Sequence, residues 1–258
     1  MNKICQWFKK ELKETGVLLK SIPAWLLTLF VLSVVLMNML ANKSIDTGSL
    51  EWLALDTGII VSWLSFLTMD IIVKRFGPKA SIKISILATV INLFVSIIFL
   101  IVSKIPGAWG ESYIPEGDIV NNALNNTFSG TWYILLGSTI AFIISAIVNS
   151  LLNFIIGKMF KKNPDSFVAY AARSYGSTIA AQFIDNFIFA LIVSLNFFGW
   201  TFIQCLTCAL TGAIVELVCE VIFSPIGYRL ARRWEADGTG REYLDLINEN
   251  TNTNDKEV

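Results

Sequence analysis

A chain of 258 residues that is 54% hydrophobic, with a mean hydropathy of +0.61 and as many basic as acidic residues, does not have the composition of a soluble domain. It holds no histidine, which excludes a Ser–His nucleophile pair, imidazole-ligated haem and the common zinc constellations. No P-loop and no G-x-G-x-x-G motif is present, so the chain has no nucleotide engine of its own.

In chain order, residues 1–21 mix Trp7, Phe8, Leu12, Leu18 and Leu19 with Lys3, Lys9, Lys10, Lys13 and Lys20, the pattern of a basic amphipathic helix lying on the inner leaflet. A basic start before an apolar run also resembles a signal peptide. The run here is too long, lacks a small-residue cleavage motif and is followed by five more, so it reads as a retained anchor. The six apolar runs are 22–41, 52–73, 81–103, 131–156, 177–198 and 202–223, each near the roughly 20 residues that a helix needs to cross a bilayer. Between the third and fourth lies 104–130, with Pro106, Gly107, Glu111, Pro115, Glu116, Gly117 and Asp118. It reads as an external acidic loop, either a lid over an outward cavity or simply a polar connection. Residues 231–258 form a polar cytoplasmic tail, expected to be disordered beyond Asn248.

Backbone groups in hydrocarbon must be paired within their own segment, so the runs are helices. If the N-terminus is cytoplasmic, every Lys and Arg except Lys43 and Lys104 falls on the inner side, as the positive-inside rule requires. Trp52, Trp132 and Trp200 then mark the outer interface and Trp25 the inner one. The expected fold is all-α: a polytopic membrane protein with six transmembrane helices within residues 22–230, both termini cytoplasmic and no soluble domain.

The polar residues inside the runs carry the chemistry. An ionised side chain near mid-bilayer costs about 2.5–3.5 kcal/mol on insertion scales, so such residues face the bundle interior and mark a site. The fifth run carries Gln182, Asp185 and Asn186 on one face, with Arg173, Ser174 and Ser177 about two turns towards the cytoplasm. The sixth carries Glu216 and Glu220 one turn apart, a spacing that invites a shared proton or a cationic ligand. Asn38 and Asn42 repeat that spacing in the first run, and Asn149 and Asn153 in the fourth. The asparagine pairs serve equally as glue between helices, Asp70 equally as a helix-end partner of Lys74, and Asn42 as the end of the first helix. Asp185 has no basic residue within a turn, which favours a site role. Cys205 and Cys208 have C-x-x-C spacing but lie in an apolar helix without a second pair, so they read as core cysteines. A carboxylate accepts two parallel N–H bonds from the edge of an amino-heterocycle, and Phe183, Phe187, Trp63 and Phe66 either stack on such a ring or fill the bundle.

Three segments together resemble a known family: Asn38 to Lys43 closing the first helix, Asp70 to Gly77 closing the second, and Arg173 with Ser174, Ser177, Gln182, Asp185 and Phe189 in the fifth. With Glu220 five residues before Pro225, they resemble the VUT family, the queuosine precursor transporters, over about residues 20–230. The resemblance implies a six-helix carrier similar in architecture to the substrate-binding components of energy-coupling-factor vitamin transporters. It implies uptake of 7-deazaguanine precursors, or queuine, for tRNA modification. Asn42, Asp70, Arg173, Ser177, Gln182, Asp185 and Glu220 match the pattern, whereas Glu216 stands where many relatives are expected to carry a lysine. The expected substrate site is Asn42, Asp70, Arg173, Ser177, Gln182, Asp185, Asn186, Glu216 and Glu220, with Asp185 and Glu220 lining the cavity. No cofactor, metal, catalytic group or nucleic-acid partner is expected; the partners are a deazapurine-like solute and the lipid bilayer. The competing readings are a vitamin-binding subunit served by an external ATPase module and a ligand-free membrane scaffold; an enzyme comes last for want of an activated nucleophile.

Overall fold

The computed structural model describes residues 3–110, 117–159 and 167–254. The elements are α1 (Lys3–Ser21), α2 (Ala24–Leu40), β1 (Ser44–Ile45), β2 (Leu55–Asp56), α3 (Ile59–Phe76), α4 (Pro78–Val102), α5 (Gly117–Met159) and α6 (Phe167–Phe189). A π-helical turn, Ala190–Ser194, then leads into the short α7 (Leu195–Phe197), followed by α8 (Phe202–Ala236) and α9 (Arg241–Asn254).

Proline and glycine set the breaks. Pro23 has no N–H to continue α1, and its carbonyl accepts from Leu26 and Leu27 at the start of α2, so the two helices meet at a bend of 108°. Gly77 closes α3 in the left-handed region (φ +86°), its N–H on the Val73 carbonyl, and Pro78 then opens α4.

Among the described residues, four segments are long and apolar enough to cross a membrane: Pro78–Val102, Gly117–Asn149, Tyr175–Phe197 and Phe202–Phe223. The bent α1–α2 pair makes a fifth if taken as one span. α3 is different, because its 18 residues include Asp70, Lys74 and Arg75. Large apolar side chains on α4, among them Leu93, Phe94, Ile97, Ile98 and Ile101, are exposed at helical spacing, a surface suited to hydrocarbon rather than water.

Several boundaries differ from the sequence reading. Residues 52–58, expected within the second span, are turns and strand β2, which pairs antiparallel with β1 (Ser44 opposite Asp56, Ile45 opposite Leu55). Residues 117–130, expected as loop, are the first turns of α5. There Asn121, Asn125 and Phe128 recur at helical spacing and grip Trp109: Asn121 Oδ1 accepts from its backbone N–H, Asn125 Oδ1 from its indole N–H at 2.9 Å, and Phe128 lies 5.0 Å from its ring. The tail is also more ordered than expected, since α9 runs past Asn248 to Asn254.

The chain divides into two compact units. The first comprises residues 1–34, 64–90 and 221–258. Its core joins Leu18, Ile22 and Leu26 with Ile72, Phe76, Ile84, Trp234 and Tyr243. Lys83 is almost buried there and bridges Glu14 (2.6 Å) and Glu11 (2.9 Å), while Asn250 of α9 donates to the other Glu14 oxygen at 2.9 Å. Gly240 must be glycine, because a Cβ would sit 2.1 Å from the Phe76 ring.

The second unit comprises residues 35–63 and 91–220. α5 packs along α6, with Ile134 and Ala41 against Val193 of the π-helical turn. That turn rearranges carbonyls: Ile192 O accepts from the Tyr133 hydroxyl at 2.6 Å and from the Asn196 amide at 3.0 Å. A second cluster joins Ala54, Ala190, Trp200, Cys205 and Cys208, with Phe187, Leu191 and Phe198 packed on it.

Candidate functional site

α6 places its polar residues by helical periodicity. Gln182, Asp185 and Asn186 occupy one face in the second unit, three and four residues apart. Asn186 donates its amide N–H to Glu216 Oε2 on α8 at 3.2 Å, and the Ser62 hydroxyl of α3 donates to Glu216 Oε1 at 2.7 Å. Glu216 is 2% exposed and held by two neutral donors. Asp185 accepts from the Ser145 hydroxyl of α5 at 2.9 Å. Asp56, in β2, is a third acid of this unit. No described Lys or Arg forms an ion pair with any of the three acids.

Gln182 is the sharpest signal. It is 2% exposed, yet neither its amide nitrogen nor its oxygen meets a hydrogen-bond partner among the described residues. A buried amide left unpaired costs of the order of 1–3 kcal/mol, so both Gln182 atoms are unmet demands on this face of α6. Asn92 of α4, also in this unit, is fully buried with both amide atoms likewise unpaired.

The approach of α6 to α8 depends on Gly212. A Cβ there would lie 2.9 Å from Asn186 Nδ2 and 3.0 Å from its Cγ, so only glycine lets that amide reach Glu216 undisturbed. Phe183 and Phe187, one turn apart on α6, stack on each other (5.7 Å, 10°), and Phe187 meets Phe202 edge-on.

The other expected residues distribute as follows. Asn42 caps α2, donating to Met39 O at 3.0 Å, and also reaches Thr131 Oγ1 at 3.4 Å, while its Oδ1 stays unpaired. Ser177 is buried on α6, and Glu220 is buried one turn beyond Glu216 on α8. Asp70 belongs to the first unit, half-buried on α3. The side chain of Arg173 lies outside the described residues, as does that of Asn153. Glu216, where the sequence reading expected many relatives to carry a lysine, is tied to the face that carries Asp185.

Three participants were not singled out from sequence: Ser62, Ser145 and Asp56. Single hydroxyls in apolar runs carry no pattern, and Asp56 fell inside an expected span. It precedes α3, where its carboxylate accepts from the Gly58 N–H at 2.8 Å, and burial pushes its carboxyl up to about 6. Towards the end of this unit that carries the β1–β2 hairpin, a cleft of about 650 Å³ opens beside residues 44–54 and the start of α8.

A family model described as "Putative vitamin uptake transporter" matches residues 56–230, about two-thirds of the chain. The chain belongs to this family. It is a multi-pass membrane protein of the vitamin uptake transporter type, which agrees with the resemblance read from its motifs. No curated protein and no solved structure matches it. The matched stretch contains every residue of the α3–α5–α6–α8 network, whereas α1 and α9 lie outside it.

Proposed function

We propose that this vitamin uptake transporter imports a flat, amine-bearing heterocycle of the 7-deazaguanine class, a queuosine precursor, and that the solute binds between Asp185, Glu216, Asn186 and Gln182. The observation that carries the reading is the unpaired, buried Gln182 amide one turn from Asp185, beside a second carboxylate held by Ser62 and Asn186. A carboxylate suits the ring N–H and exocyclic amine of a deazaguanine, an aminomethyl substituent suits the second acid, and an amide reads a lactam edge. Asn42, Arg173, Ser177 and Glu220 complete the proposed set, by their place in the resemblance read from the sequence.

The proposed topology has six spans and both termini in the cytoplasm. It counts α2 and α3 as spans beside the four long apolar ones. The charges of α3 support this, because Asp70, Lys74 and Arg75 all gather towards its C-terminal end and leave the first eleven residues uncharged. Thermal-shift measurements on the purified protein against deazapurines and vitamins test the substrate class. The expected result is stabilisation by 7-aminomethyl-7-deazaguanine, of roughly 2.7 kcal/mol at a hundredfold excess over Kd. Stabilisation by an unrelated vitamin alone would replace this substrate with that one.

A further inference from the structure

The cleft beside the hairpin has features that the deep network does not use. Its walls are the β1 segment and the turn after it, residues 44–54, together with Trp200, Thr201 and Gln204. A volume of about 650 Å³ falls within the range typical of small-molecule sites. The walls are braced by several hydrogen bonds. Gln204 donates to Glu51 O at 2.9 Å and accepts from the Thr201 N–H at 2.8 Å, Thr207 donates to Trp52 O at 2.7 Å, and Thr47 donates to Leu53 O at 2.8 Å. Asp46 folds the turn by accepting from the Gly48 N–H through Oδ1, at a position where Gly48 takes φ +61°.

The ionisable side chains that line this cleft are Asp46 and Glu51, both acids. Its floor is Ala54 and Trp200, which belong to the apolar cluster with Ala190, Cys205 and Cys208. Phe187 packs on that same cluster and directly follows Asn186, the residue bonded to Glu216. The cleft is thus acidic and braced, and the apolar cluster that includes its Ala54 and Trp200 is packed by Phe187, the neighbour in sequence of Asn186.

We infer that this cleft is a separate loading site for a cationic, amine-bearing solute, in which Asp46 and Glu51 attract the amine before the Trp200–Phe187 layer admits it to the deeper network. The inference rests on the transport reading above and adds a site to it. Two acids in a concave wall concentrate a cation and raise its rate of encounter, an effect that salt screens. They do nothing for a neutral analogue of the same shape. Discrimination by charge thus begins in the cleft, before the deep site is reached.

The test uses the full-length protein in liposomes and two compounds with one ring system, 7-aminomethyl-7-deazaguanine (cationic) and 7-cyano-7-deazaguanine (neutral). Asp46→Asn combined with Glu51→Gln is expected to raise KM for the cationic compound about three- to tenfold at low salt. The maximal rate and the neutral compound should be unaffected, and the difference should shrink in high salt. Equal effects on both compounds, or none on the cationic one, would overturn the inference. A second readout needs no transported solute: Ser44→Cys, at the cleft wall, is labelled with cationic and anionic methanethiosulfonate reagents. The cationic reagent should react faster, and Asp46→Asn with Glu51→Gln should abolish the preference. A preference unchanged by those substitutions contradicts the inference even if neither deazaguanine is carried, and that last outcome alone would overturn the substrate reading.

Discussion

Replacing Gly212 by Ala isolates the contact between α6 and α8. The new methyl would lie 2.9 Å from Asn186 Nδ2, 3.0 Å from Cγ and 3.3 Å from Oδ1. An ordinary contact is near 3.5–4.0 Å, so the amide must retreat by about half an ångström or more. Its bond to Glu216 Oε2 already spans 3.2 Å, so a retreat of that size breaks it. Loss of that long bond costs the fold about 1 kcal/mol, and an amide out of place for the solute forfeits one polar contact, about 1.4 kcal/mol or roughly tenfold in affinity. Stability should hardly change. Alanine gains about 1 kcal/mol in a helix interior, and the displaced atoms are the free end of a side chain, so little packing is strained. The assay is equilibrium binding in detergent beside a thermal melt. Gly137→Ala is the control: its methyl would meet Val193 Cγ2 at 2.3 Å, a purely apolar clash, so it should lower the melting temperature and spare affinity. Wild-type affinity in a well-folded Gly212→Ala protein would refute the role given to Asn186 and Glu216.

Other outcomes follow from the same structure. Asp56 binds its proton more tightly when folded (about 6) than its ordinary value of 3.8. The folded state then holds more protons between those values, so its contribution to stability is present below pH 4 and is lost as pH rises through 6; Asp56→Asn should flatten that part of the melting curve. Lys83→Met leaves Glu14 buried with Asn250 alone, which should cost about 3 kcal/mol, or roughly 5–10 °C in melting temperature, and Glu14→Leu added to it should recover most of the loss. Cys5 is exposed on α1, so with a cytoplasmic N-terminus a membrane-impermeant maleimide should label it in inverted vesicles and not in intact cells; the reverse pattern would invert the proposed topology.

How much of this was legible in the sequence depended on pattern length. Spans such as 202–223 and 81–103 show in hydropathy alone, because an unbroken run of about 20 apolar residues matches the thickness of a bilayer and exceeds what a soluble core helix needs. The hairpin at 44–56 does not show, since Trp52, Leu53, Ala54 and Leu55 continue the apolar run into α3, and only pairing with β1 separates them from it. The start of α5 was hidden by the proline- and glycine-rich residues before it, although Asn121, Asn125 and Phe128 already had helical spacing. At the site, i and i+4 spacing placed Gln182 with Asp185 and Asn186 on one face. The spacing treated Glu216 and Glu220 alike, the family resemblance favoured Glu220, and the structure ties Glu216 to that face through Asn186. Which helix faces which is a long-range fact, set here by Gly212 and Ser62, and single small residues give no periodic signal.

The most direct test is uptake of radiolabelled 7-aminomethyl-7-deazaguanine by proteoliposomes holding equal amounts of wild-type, Asp185→Asn or Glu216→Gln protein. Both substitutions keep the side-chain shape and replace a carboxyl group by a carboxamide, so each should lower uptake by tenfold or more without unfolding the protein. Uptake at the wild-type rate by both variants would contradict the claim that these two carboxylates hold the solute.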